Sequence, residues 1–400
     1  MGLNKVEHCT SAFALFYLQD PSLLEFQRRV QEKINKNNLS TVFNVQGIPS
    51  DTQLRDVIDI HSNKPIQKVF KEYFYLLQRG KHLKGYQFLN DNYLIVLDGS
   101  EYFTSESIYC SKCLVKQDKQ KNKRYYHQIL QSTLVHPSKR EIIPLAPEFI
   151  HNGNGQKKQD CERNAGKRVI RTIKQEHPHL PVIIVGDSLY SNKPFLDELH
   201  KAGFSYILVA KPKDHKSLYS DIDGLKKEGL LDTYTKKGKN REYVYEWTNE
   251  VYLNGNPDSP QVNFCQLRII RNGKVTFRNS WITDIIITKE NIEDIVKGGR
   301  ARWKIENEGF NTLKNHGYHL EHNFGHGKYN LSETFFLLNL LAFFFHQIFQ
   351  ISDGLYQTTR GRFSARKEFW NCIRSTFRLF IFISWEQILE RINGPPQRIE

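Results

Sequence analysis

The chain has 400 residues, 39% of them hydrophobic, which is enough for a real core in two or three domains or in one large domain with insertions. Its 57 Lys and Arg against 43 Asp and Glu leave a formal charge of +14, an excess that predicts a polyanionic partner, most simply nucleic acid. Six cysteines, of which only Cys110 and Cys113 are closely spaced, exclude a secreted disulfide framework and point to a reducing cytoplasm. The opening residues do not read as a secretory signal. The most apolar stretch, residues 335–345, is interrupted by Asn339 and falls short of the roughly 20 residues a bilayer needs, so a buried core helix and no membrane partner are expected.

Residues 1–90 read as a helical leading segment, with exposed Arg28, Arg29, Lys33, Arg55 and Lys68 suited to DNA or simply to solvent. Ser50 and Gln53 form a capping pattern that opens a helix through Ile58, and another helix is expected over residues 66–78. At Tyr93 the character changes: residues 93–97 are a continuous apolar run ending on Asp98, as in a strand buried on both faces, although Asp98-Gly99-Ser100 also reads as a turn. Strands are expected at residues 107–109, 127–135 and 142–145, then a helix over residues 160–176. Residues 181–186 form a second apolar strand ending on a carboxylate, Asp187, followed by a helix near residues 194–202 and a strand at 206–210. Short connections imply a mixed sheet covered by helices, so residues 91–210 are expected to be the first part of an α/β core. Ligands in such sheets bind at the carboxyl ends of the strands.

Residues 211–280 are polar, basic and alternating, a β-rich insertion with an Asn272-Gly273 hairpin turn. The core resumes over residues 281–350, with a break expected at Gly298-Gly299 and a helix over residues 300–315; residues 351–400 form a helical C-terminal segment. At about 100° per residue, Trp303, Phe310 and Leu313 share a stripe that also contains Glu306, while Lys304 and Glu308 fall on the solvated side. A carboxylate on a core stripe needs a partner, a hydrogen bond or a metal. Arg302 one turn back would satisfy it as a simple ion pair. Asp98, Asp187 and Glu306 together would instead make a cage for divalent cations, which take oxygen ligands and act in phosphoryl transfer. Basic clusters at residues 116–124, 211–216, 226–241 and 360–374 would hold the phosphate backbone. Cys110 and Cys113, in Cys-Ser-Lys-Cys, offer half of a zinc site, with His127 or Cys161 as distant ligands, because four are normally required. Trp281 and Trp303 could stack on unpaired bases, Trp281 being the more open to that role.

The order Asp98, Asp187, β-rich insertion and the helix from Arg302 to Lys314 resembles the DDE-type insertion-sequence transposases of bacteria. The nearest likeness is to the group marked by a Tyr-x2-Arg-x3-Glu-x6-Lys helix, carried by Trp303-x-Ile305-Glu306, Phe310-x-x-Leu313-Lys314 and Val185-Gly186-Asp187-Ser188. The resemblance implies an RNase H-like fold and two Mg²⁺ ions, with Mn²⁺ as a substitute, held by Asp98, Asp187 and Glu306. It also implies cleavage and strand transfer on double-stranded DNA, at element ends and target, by a homodimer on the DNA. Arg302 and Lys314 would contact phosphate; Lys211 and Trp281 are further DNA-binding candidates. Two departures stand out: the signature tyrosine position is Gly299, and Lys314 follows Glu306 by eight residues instead of seven. Anchoring the register on Phe310 and Lys314 puts Asn307 at the glutamate position and makes Glu308 the other candidate. The alternatives are an RNase H-like nuclease without strand transfer and a non-catalytic DNA-binding derivative.

Overall fold

The structure, a computed structural model, describes residues 5–152, 159–255 and 258–394. Five helices open it: α1 (Lys5–Tyr17), α2 (Leu23–Val30), α3 (Lys33–Phe43), α4 (Asp51–Ile60) and α5 (Lys64–Arg79). Ser50 caps α4, its hydroxyl accepting the Gln53 N–H at 3.2 Å. The sheet begins with β1 (Gln87–Phe88), β2 (Asn92–Ser105), β3 (Leu114–Gln117), β4 (Lys123–Val135), β5 (Ile143–Pro144) and β6 (Glu148–Ile150). It continues through α6 (Glu162–Glu176), β7 (Val182–Gly186), α7 (Lys193–Ala202) and β8 (Ser205–Val209), then α8 (Lys216–Lys227) and the strands β9 (Asp232–Gly238), β10 (Arg241–Tyr252), β11 (Gln261–Arg271) and β12 (Lys274–Thr283). After α9 (Ile292–Arg300) come a π-helical turn over Ile305–Phe310, α10 (Asn311–Asn315), α11 (Leu331–Ser352), α12 (Gly354–Gly361), α13 (Arg366–Leu379) and α14 (Trp385–Asn393).

The mixed sheet runs β3-β4-β2-β7-β8-β12-β11-β10-β9, with β5 and β6 also paired to β4. β2 is antiparallel to β4 and parallel to β7, and β7 is parallel to β8. The apolar runs in β2, β7 and β8 are buried, as strands covered on both faces require. The β-rich insertion extends this same sheet: β12 crosses residue 280 and pairs with β8, Trp281 opposite Val209. Its hairpin turns at Asn272 and Gly273, whose φ values of 48° and 75° explain the Asn-Gly pair. The insertion opens on a helix, α8, which alternation in the sequence did not announce.

Several expectations need correction. Residues 107–109 form no strand. β2 does not stop at Asp98 but runs on to Ser105, because β4 continues to pair with it after β7 has ended. Gly298 and Gly299 do not break α9; they lie inside it, where it presses on the sheet. A Cβ at Gly298 would stand 3.0 Å from Ile207, and one at Gly299 only 2.5 Å from the Trp281 indole.

α11 is long and apolar enough to cross a membrane, yet it is mostly buried within the protein. It is apolar all round because it separates two cores: Phe336, Leu337, Leu340 and Phe344 enter the sheet core, while Leu331, Phe335, Leu338 and Ala342 enter a helical one. That second core joins α1 to α4 with α13 and α14, so the two ends of the chain share one helical layer.

His177, just past α6, is buried against the Phe74 ring at 4.5 Å. Burial first and Lys71 second push its pKa from 6.5 down to about 4. The unfolded chain therefore binds a proton near pH 6.5 that the folded chain refuses until about 4, and stability is lost as pH falls through that window. Melting curves at pH 7 and pH 5 should show a smaller acid loss for His177→Phe than for the parent; equal losses would remove His177 as their source.

Candidate active site

The parallel register of β2 and β7 sets Val96 beside Val185. Asp98 stands two residues further along β2, and Asp187 directly follows the end of β7, near enough for its charge to act on Asp98. One Asp187 carboxylate oxygen, Oδ1, accepts the Leu189 N–H at 2.8 Å, which orients the side chain. The π-helical turn packs on β2 and carries Glu306 toward Asp98. Burial pushes the Asp98 carboxyl up to about 6; Arg302 opposes the shift, and the negative charges of Glu162, Asp187 and Glu306 add to it. Arg302 Nη1 lies 3.6 Å from Asp98 Oδ1.

Glu306 and Glu308 face different surroundings. Glu306 is among the charges felt by Asp98, whereas Glu308 Oε2 lies 3.6 Å from Arg140 Nε. The helical phase used to compare them does not survive folding. In the π-helical turn the Asn311 N–H reaches back five residues to the Glu306 carbonyl, which rotates everything before it relative to a regular helix. Glu306 is consequently exposed instead of lying on a core stripe; Trp303, expected in the core, is 44% exposed. Lys304, expected in solvent, is buried and donates to the Lys139 carbonyl at 2.6 Å. Glu308 is half-buried, not solvated. Such π-helical turns occur often at functional sites.

A fourth carboxylate, Glu162 at the start of α6, was missed in the sequence, where nothing distinguishes it from a surface acid. It accepts the Tyr190 hydroxyl at 2.8 Å and lies so close to β2 that a Cβ on Gly99 would meet its Oε2 at 2.3 Å. Gly99 is therefore the residue that lets this acid approach the strand carrying Asp98. Burial, and then the Asp187 charge, raise the pKa of Glu162 against the Tyr190 hydrogen bond. Asp98 thus feels three neighbouring carboxylates against one guanidinium, a local negative excess of the kind that divalent cations, which take oxygen ligands, neutralise.

The other site candidates divide. Lys211 is exposed in a cleft that also contains Asp187, Arg163, Lys193 and Lys213. Lys314 pairs with Glu321 at 3.2 Å and lines a cleft with Arg124 and residues 101–105 of β2. On another side Arg140, Arg360, Arg366 and Lys367 surround Asn307 and Glu308. Trp281 does not belong with these: it is fully buried, with its indole against Gly299, and it has no face to offer a base. The same contact explains the glycine at 299, since Trp281 occupies the space a side chain there would need.

Fold and site together define an α/β protein with an acidic centre set among basic clefts. Residues 102–345 match the model of the Transposase DDE domain family, more than half of the chain, and the protein belongs to that family of metal-using DNA phosphoryl-transfer enzymes. The match begins four residues after Asp98 and includes Asp187 and Glu306. Among solved structures, the chain is similar to the piggyBac transposase in a cryo-EM synaptic complex with hairpin DNA. That likeness has a TM-score of 0.44 and 9% identity, covering 99% of this chain and 74% of the other. No curated protein matches the sequence.

Proposed function

We propose that the protein is a bacterial insertion-sequence transposase of the Tyr-Arg-Glu-Lys group, which cuts DNA at the ends of its element and joins the freed 3′ hydroxyl to target DNA in the cytoplasm. The observation that carries this reading is the approach of Asp187 and Glu306 to Asp98 in a chain of the DDE family. Asp98, Asp187 and Glu306 would hold two Mg²⁺ ions, with Mn²⁺ as a substitute. Such ions supply the Lewis acidity that activates an attacking hydroxyl and stabilises the leaving oxygen. Arg302, beside Asp98, is placed to exchange that carboxylate for a DNA phosphate once cations neutralise the cluster. Lys211, in a cleft with Asp187, and Lys314, in a cleft beside residues 101–105 of β2, would position the backbone, and the exposed Trp303 replaces Trp281 as the aromatic able to stack on a base. Double-stranded DNA, both element end and target, is the substrate, and two copies of the chain would pair the two ends.

Pre-cleaved element ends bearing 3′ hydroxyls, incubated with a plasmid target and Mg²⁺, should give joined products. Mg²⁺-dependent nicking with no joining would favour the nuclease. The absence of both from well-folded protein would leave a DNA-binding derivative.

A further inference from the structure

Cys110, Cys113, His127 and His326 bring one donor atom each into a cluster in which all four lie within 4.8 Å of one another. The two thiol sulfurs are 3.9 Å apart and the two imidazole Nε2 atoms 3.1 Å apart. His127 Nε2 lies 3.6 Å from Cys110 Sγ and 3.5 Å from Cys113 Sγ, and His326 Nε2 lies 3.5 Å from Cys113 Sγ. A tetrahedral zinc ion with ordinary Zn–S and Zn–N bonds requires edges of about 3.8 Å between sulfurs, about 3.3 Å between nitrogens and about 3.6 Å between sulfur and nitrogen. Each measured edge falls within a few tenths of an ångström of that solid.

The surroundings prepare the same donors. His326 Nδ1 sits 2.9 Å from the Gly327 carbonyl, so that its N–H donates there and the Nε2 lone pair faces the cluster. The Cys110 backbone N–H donates to Cys113 Sγ at 3.4 Å, a bond that favours the thiolate. Cys113, His127 and His326 are buried, and the rings of Tyr102 and Phe103 lie against the two histidines. Nitrogen and sulfur donors of this kind select zinc over the oxygen-seeking cations suited to the carboxylates.

We propose that these residues form a structural Cys2His2 zinc site. Cys161, the other cysteine considered from the sequence, lies at the start of α6 and is not in the cluster. The ligands come from the loop after β2, from β4, and from the segment before α11, so the ion fastens the far end of the paired strands β2 and β4 to the entrance of the helix that divides the two cores. Asp59 of α4 holds the same entrance, its carboxylate accepting the N–H groups of Lys328, Tyr329, Asn330 and Leu331. Cys113 and His326 are 213 residues apart, with Asp187 and Glu306 between them in sequence. Phe103 stands five residues along β2 from Asp98, about 16 Å at the usual rise, which separates this site from the carboxylates. All four donors being committed to protein ligands, the site is closed and structural instead of catalytic.

The full-length protein, expressed in zinc-supplemented medium and exhaustively dialysed, should contain about one zinc ion per chain by elemental analysis. Asp98→Asn and Cys161→Ser should retain it; Cys113→Ser and His326→Ala should lose it and melt at a lower temperature. Stripped wild-type protein given Co²⁺ should show tetrahedral d–d bands and thiolate charge transfer, a readout that needs no variant to fold. Wild-type protein without zinc that also gives no cobalt spectrum would overturn the site. A Cys110–Cys113 disulfide after reducing lysis, or zinc lost with Asp98→Asn but kept with Cys113→Ser, would do so as well. None of these measurements depends on DNA cleavage, so the zinc site and the transposase reading stand or fall separately.

Discussion

Asp98→Asn is expected to lower DNA nicking and joining by at least about a thousandfold while raising the melting temperature of the metal-free protein. Both effects follow from the charge that this residue shares. Its carboxyl, normally near 3.8, is pushed up to about 6 by burial and by the neighbouring acids. A folded-state pKa raised in this way means that the ionised form is disfavoured by folding, so the cost is present above pH 6 and is relieved as pH falls through it. An isosteric amide removes that cost permanently, a gain on the order of 1–3 kcal/mol at neutral pH. It also removes a metal ligand, so the stabilisation that Mg²⁺ or Mn²⁺ gives the parent should vanish. Melting curves with and without the cations, run beside a nicking assay, test both halves; retained nicking would take Asp98 out of the metal site.

Glu306→Gln should show a loss of similar size, whereas Glu308→Gln should stay within about threefold of the parent. The two acids are two residues apart, but Glu306 is among the main charges acting on Asp98, while Glu308 lies beside Arg140 in the cleft with Arg360 and Arg366. Rates for the two variants at saturating Mg²⁺ distinguish them directly. The opposite ranking would move the third ligand to Glu308 and require the π-helical turn to rewind in the DNA complex.

Much of the core could be read from local pattern. The apolar runs ending at Asp98 and Asp187 are buried parallel strands in adjacent register. That is legible because a strand covered on both faces has few ways to be written. The helix from Arg302 to Lys314 was legible as a helix but not in its phase, since a single π-helical turn shifts which residues meet the core while leaving composition unchanged. For this reason Trp303 is exposed, and the apparent misfit of Glu306 in an apolar stripe was an exposed acid at the edge of a cluster; Trp281, on β12, is buried separately, by the packing of α9 on the sheet. Glu162 was invisible because its importance depends on the missing side chain of Gly99 and on the hydroxyl of Tyr190, which lie far from it in the chain.

By itself, the sequence determined the basic balance of the protein, the buried strands and the likeness of its acidic residues to a transposase family, because charge, alternation and motif spacing are local properties. Only the tertiary structure decided which acids share one field, that the two ends of the chain form one helical core around α11, and that His326, rather than Cys161, joins Cys110, Cys113 and His127. Those are questions of distance between residues up to hundreds of positions apart, and distance across a fold is set by how the cores close, which no local pattern encodes.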